Sequence, residues 1–213
     1  MDQNLKKTTH LRVERVISNL EKNNMKGYFV DSLPALKECL STLIPTGSTI
    51  AVGGSQTLFE TGTLDWIRAN NYRFYDRYAP GLTPIEIKEV HRKAFSVDVY
   101  LCSTNAITES GTLYNVDGSG NRVAAMIFGP DRVIVLAGVN KIVKDEADAI
   151  RRNREMSGPT NSMRLNLQTP CVHTGTCTDC ISPDRICSAY TFIKYQREKN
   201  RIHVILIDDA FGY

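Results

Sequence analysis

Long apolar runs constrain the fold of this chain more than any other feature. Arg132–Ala137 holds five apolar residues in a row, and Val97–Cys102 and Ile202–Ile207 are almost as apolar. A strand that is apolar on both sides is buried on both faces, which is typical of a parallel sheet covered by helices. Amphipathic stretches such as Thr8–Asn23 separate these runs. The pattern predicts an α/β fold with a mostly parallel sheet and helices on both faces.

Local signals place several helices. Thr83-Pro84-Ile85-Glu86 combines a hydroxyl cap, a proline in the first turn and a glutamate placed for a capping box, and it predicts a helix that runs to about Phe95. Further helices are predicted from Val143 to about Ser157 and from Ala189 to Glu198. A chain of 213 residues suits one α/β domain, and we expect a single domain over residues 1–213.

Composition excludes several classes of partner. The 26 basic and 23 acidic residues give a net charge of +3, which is too small to predict a nucleic-acid surface. No apolar run approaches the roughly 18 residues of a membrane span, and the polar start of the chain carries no signal-peptide pattern. We therefore expect a cytoplasmic protein. In a reducing compartment, six cysteines favour metal binding or catalysis over disulfides.

The first candidate site lies between a predicted strand and a predicted helix. Gly53, Gly54, Ser55 and Thr57 follow the strand Ser48–Val52 directly. Glycines let the backbone approach a ligand, and the amide groups of a helix N-terminus attract anions, so these four residues are predicted to bind substrate. The alternative is a tight turn in which Ser55 only caps the helix.

The second candidate site is the polar stretch 103–112. Thr104, Asn105 and Thr108 are predicted to face substrate, because ligands of open parallel sheets bind beyond the strand ends. Glu109 is the only acidic residue of the stretch, so it is the candidate general base or nucleophile. The alternative is an exposed glutamate in a hairpin turn.

Two further polar residues extend this prediction. Asn115 precedes Asp117-Gly118, a pair typical of hairpin turns, and is predicted to bind substrate. Lys141 follows the strand 132–137 and is a candidate for neutralising a substrate carboxylate or phosphate. An ordinary surface lysine is the alternative.

Four cysteines crowd an irregular segment at about residues 168–190, with the pattern C-x5-C-x2-C-x6-C: Cys171, Cys177, Cys180 and Cys187. A C-x2-C pair presents two thiolates to one ion, and two flanking cysteines complete the ligand set of zinc or of an iron–sulfur cluster. The spacing does not decide between the two, and His173 could replace one cysteine. A redox disulfide or four unrelated thiols are the alternatives. Cys39 and Cys102 are predicted to be core residues.

Several stretches together resemble the LUD family, also called LutC/YkgG-like, from about residue 10 to residue 190. They are 52–58, 99–112, 115–118, 121–130, 140–143 and 177–187. The resemblance implies a Rossmann-like fold of the NagB/RpiA/CoA-transferase kind. It also implies a role in oxidation of L-lactate to pyruvate alongside iron–sulfur oxidoreductase subunits.

Three functions remain open at this point. The chain is a component of lactate oxidation with a four-cysteine metal centre, or a transferase or isomerase that uses Glu109 on a small anionic metabolite, or a non-catalytic sensing or assembly subunit. A homo-oligomer is compatible with each. The chain has no Walker-type loop and no H-E-x-x-H motif, so nucleotide hydrolysis and metallohydrolase activity are not predicted.

Overall fold

The computed structural model describes residues 2–213 and shows two sheets. The ten strands are β1 (Lys26–Val30), β2 (Thr49–Val52), β3 (Arg73–Tyr75), β4 (Val99–Cys102), β5 (Ala106–Thr108), β6 (Leu113–Asp117), β7 (Arg132–Gly138), β8 (Ile142–Val143), β9 (Ala189–Ile193) and β10 (Ile202–Ile207). The larger sheet has the order β1-β10-β7-β4-β2-β3, and every pair in it is parallel. The smaller sheet has the order β8-β5-β6-β9.

Nine α-helices accompany these strands within residues 2–213. They are α1 (Gln3–Lys22), α2 (Leu33–Leu43), α3 (Gln56–Glu60), α4 (Thr63–Ala69), α5 (Pro84–Lys93), α6 (Asn121–Ile127), α7 (Glu146–Arg152), α8 (Gly158–Arg164) and α9 (Cys171–Thr174). A π-helical turn, Asn153–Ser157, joins α7 to α8. None of the helices in this part of the chain combines the length and apolarity needed to cross a membrane.

Alternate residues of the central strands face two separate cores. In β7, Val133 and Val135 pack with α1 and α6, whereas Ile134 and Leu136 pack with α2 and α4. Successive side chains of a strand point to opposite faces, so a fully apolar strand needs a helical layer on each side. The predicted α/β architecture is therefore confirmed.

Helix boundaries follow the local signals closely. Thr83 and Glu86 form the complete capping box at the start of α5. Gly62 separates α3 from α4. Its φ of +65° lies in the left-handed region, which glycine tolerates best and which interrupts a right-handed helix. The predicted helix after Val143 also exists, but it extends through the π-helical turn and α8 to Arg164.

Two local predictions are wrong. Ala189–Glu198 is not a helix, since residues 189–193 form β9 and pair antiparallel with β6. Tyr190, Thr191, Phe192 and Ile193 are aromatic or β-branched residues that favour strands, and the Phe192 ring packs 4.7 Å from the Tyr114 ring. Asp117-Gly118 does not form a hairpin either, because the chain passes directly into α6. The hairpin lies instead between β5 and β6.

Candidate functional site

A polar cavity of about 340 Å³ lies beyond the carboxyl ends of β2 and β4. The loops 54–56 and 103–105 form one side, the 116–122 segment a second, and α8 with the C-terminal tail a third. We call this cavity the basic pocket, because its lining contains four cationic residues and one carboxylate. These residues are Arg77, Arg122, Lys141, Arg164 and Asp117.

Arg122 organises the inner wall of the basic pocket. Its guanidinium is almost fully buried and donates hydrogen bonds to the carbonyl oxygens of Ser103, at 2.9 Å, and Val116, at 2.7 Å. It also donates to the Asn115 and Asn105 side-chain oxygens, at 2.6 and 3.1 Å, and its Nε lies 3.4 Å from the Asp117 carboxylate. The residue therefore fastens the 103–105 loop to β6, and the carboxylate in the lining is already paired.

Lys141 lies deep in the basic pocket and is 3% exposed. Its ammonium donates to Thr57 Oγ1 at 3.0 Å, to Ser103 Oγ at 2.9 Å and to the Thr104 carbonyl oxygen at 3.2 Å. Burial, and then the charges of Arg152 and Arg122, lower the pKa of Lys141 to about 7. The residue is therefore a buried cation that exchanges its proton near neutral pH.

Only part of the predicted glycine loop lines the basic pocket. Gly54 and Ser55 line the cavity, and Ser55 also caps α3 through a 3.3 Å hydrogen bond from the Leu58 amide. Gly53 lies beneath the lining, where a Cβ would stand 2.9 Å from both Arg122 Cγ and the Tyr100 hydroxyl oxygen. Glycine at position 53 thus makes room for Arg122.

Of the other predicted substrate-binding residues, Thr104 and Asn105 line the basic pocket. Asn115 is buried behind it as a partner of Arg122, and Thr57 is buried as a partner of Lys141. Thr108 is not brought to the cavity. Its hydroxyl lies in the β5–β6 turn, 2.8 Å from Ser110 Oγ, and accepts from the Thr112 amide at 3.0 Å.

Glu109 also lies outside the basic pocket, in the β5–β6 hairpin turn. Its carboxylate accepts from Arg12 Nε at 2.9 Å and from Arg15 Nε at 3.3 Å, both on α1. Burial works to raise the pKa of Glu109, but the two arginines outweigh that effect and lower it. The arrangement is that of an ion-paired residue that joins the hairpin to α1.

Three lining residues of the basic pocket, Tyr213, Arg77 and Arg164, were not predicted from the sequence. The tail carries Tyr213 back to the cavity, because the Gly212 amide donates to Glu60 at 2.6 Å and Asn140 Nδ2 donates to the Gly212 carbonyl oxygen at 3.0 Å. The Tyr213 hydroxyl is buried without a hydrogen-bond partner of normal geometry among residues 2–213. No short-range pattern marks such residues, because they meet only through the topology.

The four cysteines of the C-terminal segment border a second, much smaller cavity of about 20 Å³. We call it the thiol cavity, lined by Cys171, Cys177, Cys180 and Cys187. Burial, and then the charges of Cys177 and Cys171, raise the pKa of Cys187 to about 11. His173 is exposed and does not line the cavity.

The chemistry of the thiol cavity fits a thiolate-bound metal, although the ligand set is not preassembled. Across residues 2–213, no three His, Cys, Asp or Glu side chains stand together in a metal-binding arrangement. The segment is nevertheless well fastened, since Arg185 donates to the carbonyl oxygens of Cys180 and Cys187 at 2.6 and 2.7 Å. The Cys177 amide also donates to the Arg154 carbonyl oxygen at 2.8 Å. Hydrogen bonds thus hold the backbone of this segment while its four thiols line the same cavity.

The two cavities share a wall. Asn161 and Arg164 of α8 line the basic pocket, whereas Gly158 and Ser162 of the same helix line the thiol cavity. Ile186 lines both. The two cavities are thus separated by one helix and one side chain.

In open parallel α/β sheets, ligands bind beyond the carboxyl ends of the strands, which is where this chain has its cationic cavity. The family model of the LUD domain matches residues 13–207, and the chain belongs to that family. The resemblance found in the sequence is therefore confirmed.

Several solved structures are similar to this chain, among them the following two. One is a DUF162 family protein from Deinococcus radiodurans, with 11% identity, a TM-score of 0.54 and coverage of 93% of this chain and 98% of the other. That likeness supports the fold. The other is ribose 5-phosphate isomerase A from Methanocaldococcus jannaschii, with 19% identity, a TM-score of 0.34 and 55% of each chain covered. The comparison with curated proteins found no match.

Proposed function

We propose that this LUD domain protein is a component of L-lactate oxidation to pyruvate and that it binds a small anionic metabolite in the basic pocket. The observation that carries the proposal is the charge of the cavity. Arg77, Lys141 and Arg164 make no ion pair with a carboxylate within residues 2–213, and the lining carboxylate is held by Arg122. Family membership supports the pathway, and the pocket supports the ligand class.

Three residues of the basic pocket contribute to anion binding in different ways. Arg164 is exposed at the end of α8 and attracts the anion from solvent. Ser103 lines the cavity and accepts from Lys141, and its own hydroxyl donates only a long, 3.4 Å hydrogen bond to the Thr104 carbonyl oxygen, so this hydrogen can turn toward an anionic oxygen. Lys141 supplies positive charge below pH 7 and can take up a proton when an anion binds, because its pKa is about 7.

We further propose that the four cysteines hold one metal centre, either an iron–sulfur cluster or zinc. Four thiols around one small cavity are the donor set that both centres take. An iron–sulfur cluster would supply electron transfer to iron–sulfur oxidoreductase subunits, whereas zinc would brace the segment. The observation behind this proposal is the convergence of all four cysteines on the cavity beside α8.

Growth of the native host tests the pathway. Deletion of the gene should abolish growth on L-lactate and leave growth on pyruvate unchanged, since only the oxidation step is removed. The wild-type gene should restore growth, and a Lys141→Gln gene should restore it poorly. Equal growth of the deletion strain on both carbon sources would contradict the proposal.

Metal and sulfide analysis of protein purified without oxygen tests the thiol cavity. We expect a stoichiometric centre in the wild type and in Cys39→Ala, because Cys39 lies outside the cluster. Cys180→Ala should lose most of the metal. Acid-labile sulfide with a visible absorption band would identify an iron–sulfur cluster, and zinc without sulfide would identify a structural centre. Equal metal content in the two variants would remove the cysteines as the ligand set.

The geometry favours the transferase or isomerase candidate less, because Glu109 lies outside the basic pocket. A non-catalytic sensing or assembly role is the second candidate, and the pairing of Asp117 with Arg122 supports it, since no unpaired carboxylate of residues 2–213 lines the cavity to act as a base. Anion binding without turnover, together with loss of growth on L-lactate in the deletion strain, would identify this role.

A further inference from the structure

The basic pocket carries more positive charge than one carboxylate group would neutralise. The Arg77 guanidinium stacks on the Tyr78 ring, 5.3 Å from its centroid. Arg164 donates to its neighbour Asn161, at 2.8 and 3.1 Å, and also lies beside the Tyr213 phenol. Lys141 bonds only neutral oxygens. Glu60, outside the lining, is the acidic group whose charge acts on Lys141, and its carboxylate accepts from the Gly212 amide. Among residues 2–213, Asp117 and Glu60 thus offset only part of the charge around the cavity.

The cations come from separate elements that surround the cavity. Arg77 follows β3, Lys141 follows β7, and Arg164 ends α8. The C-terminal tail lies beside two of these cations. Gly212 packs against Lys141, so that a Cβ added to this glycine would lie 3.2 Å from Nζ, and the Tyr213 phenol lies beside Arg164. A cavity of about 340 Å³ leaves room for two anionic groups at different places on this ring.

We infer that the ligand of the basic pocket is a small anion with at least two negative charges, a dicarboxylate or a phosphate compound, rather than a monocarboxylate such as lactate. This inference rests on the proposed anion-binding role of the pocket. One anionic group lies toward Lys141 and Ser103, and the other lies between Arg77 and Arg164. The buried Tyr213 hydroxyl, which lies beside Arg164, donates a hydrogen bond to the ligand.

Calorimetric titration with a matched pair of anions tests the charge requirement. Tartronate is lactate with the methyl group replaced by a second carboxylate, so the two probes differ mainly by one charge at similar size. We expect tartronate to bind at least about tenfold more tightly than L-lactate at low ionic strength, and added salt should narrow the difference. Pyrophosphate is the phosphate probe. Tighter binding of tartronate than of pyrophosphate would assign a dicarboxylate, and the reverse order would assign a phosphate compound.

Arg164→Gln tests where the second charge binds. Because Arg164 is exposed, the variant should fold normally. We expect it to weaken tartronate binding about threefold while L-lactate binding changes little. Arg151→Gln is the matched control, because Arg151 is an exposed arginine paired with Asp148 outside the cavity. Equal affinity of the wild type for L-lactate and tartronate would overturn the inference and leave the anion-binding proposal intact. Binding of none of the three probes would overturn both.

Discussion

The basic pocket and the thiol cavity lie on different faces of α8 and are built in opposite ways. The basic pocket is wide, cationic and assembled from residues between Gly54 and Tyr213, which meet only at the strand ends. The thiol cavity is small, and its cysteines come from one segment of 17 residues, Cys171–Cys187. A site made by the sheet topology depends on the whole fold for its geometry, whereas a site made by one segment depends on local fastening and on what it binds.

In each site one arginine donates hydrogen bonds to backbone carbonyl oxygens: Arg122 in the basic pocket and Arg185 beside the thiol cavity. Substitution of these two arginines should give the largest difference in stability between the sites. Arg122→Leu removes a buried guanidinium with four hydrogen-bonded partners and leaves Asp117, which is 9% exposed, unpaired. We expect the free energy of unfolding to fall by about 3–5 kcal/mol. Arg185→Leu should cost about 1 kcal/mol, because its segment is partly exposed, but should lower metal retention.

Urea unfolding measures the first effect, and metal analysis after dialysis measures the second. Equal losses of stability in Arg122→Leu and Arg185→Leu would contradict the distinction between a topological site and a local one.

The two neighbouring glycines of the pocket loop give a second contrast. Gly53→Ala places a Cβ 2.9 Å from Arg122 Cγ and from the Tyr100 hydroxyl, so Arg122 must move. We expect a loss of about 1–3 kcal/mol in stability and weaker tartronate binding. Gly54→Ala is the control, because its Cβ would lie at an ordinary 3.4 Å from Arg77. Similar melting temperatures for the two variants would show that Gly53 does not support Arg122.

The pH dependence of anion binding should separate Lys141 from the arginines. Because the pKa of Lys141 is about 7, the ammonium that attracts the anion is lost as the pH rises above that value. Tartronate affinity should fall by up to about tenfold per pH unit above pH 7, and Lys141→Gln should bind weakly with a flat profile. A steep profile in Lys141→Gln would assign the titration to another group.

The same lysine should make the free energy of unfolding depend on pH. The free energy should rise with pH, because the unfolded chain binds the additional proton. Its pKa is lower in the folded chain than the roughly 10.4 of an unfolded one, so the unfolded state binds the extra proton between these values. This contribution to the free energy of unfolding is complete above about pH 10.4 and is lost as the pH falls through 7. The difference in stability between wild type and Lys141→Gln, measured across this range, reports it.

The smallest effect is expected at Glu109, outside both sites. Glu109→Gln weakens the ion pairs to Arg12 and Arg15, whose side chains are 36% and 54% exposed, so we expect a loss of only about 0.5–1 kcal/mol. Tartronate affinity and metal content should stay at wild-type values. A large loss of anion affinity in this variant would return Glu109 to the list of ligand-binding residues.

The sequence by itself determined the elements whose causes are local. The limits of β10 and the capping box at Thr83 depend on residues within one or two turns of each other, so their patterns were readable. The grouping of the four cysteines was readable for the same reason, because their spacing places them in one segment. The error at Ala189–Glu198 arose because pairing with β6, which is distant in the sequence, fixes residues 189–193 as a strand.

Only the tertiary structure decided which polar residues meet. The parallel order β7-β4-β2 brings the loops after these strands to one edge, where Gly54, Thr104 and Lys141 join Arg77 and Tyr213. The β5–β6 hairpin directs Glu109 toward α1 instead. Strand order and crossover geometry are set by packing across the whole core, and no local pattern encodes them. The residues of the basic pocket therefore became visible as one site only in the folded chain.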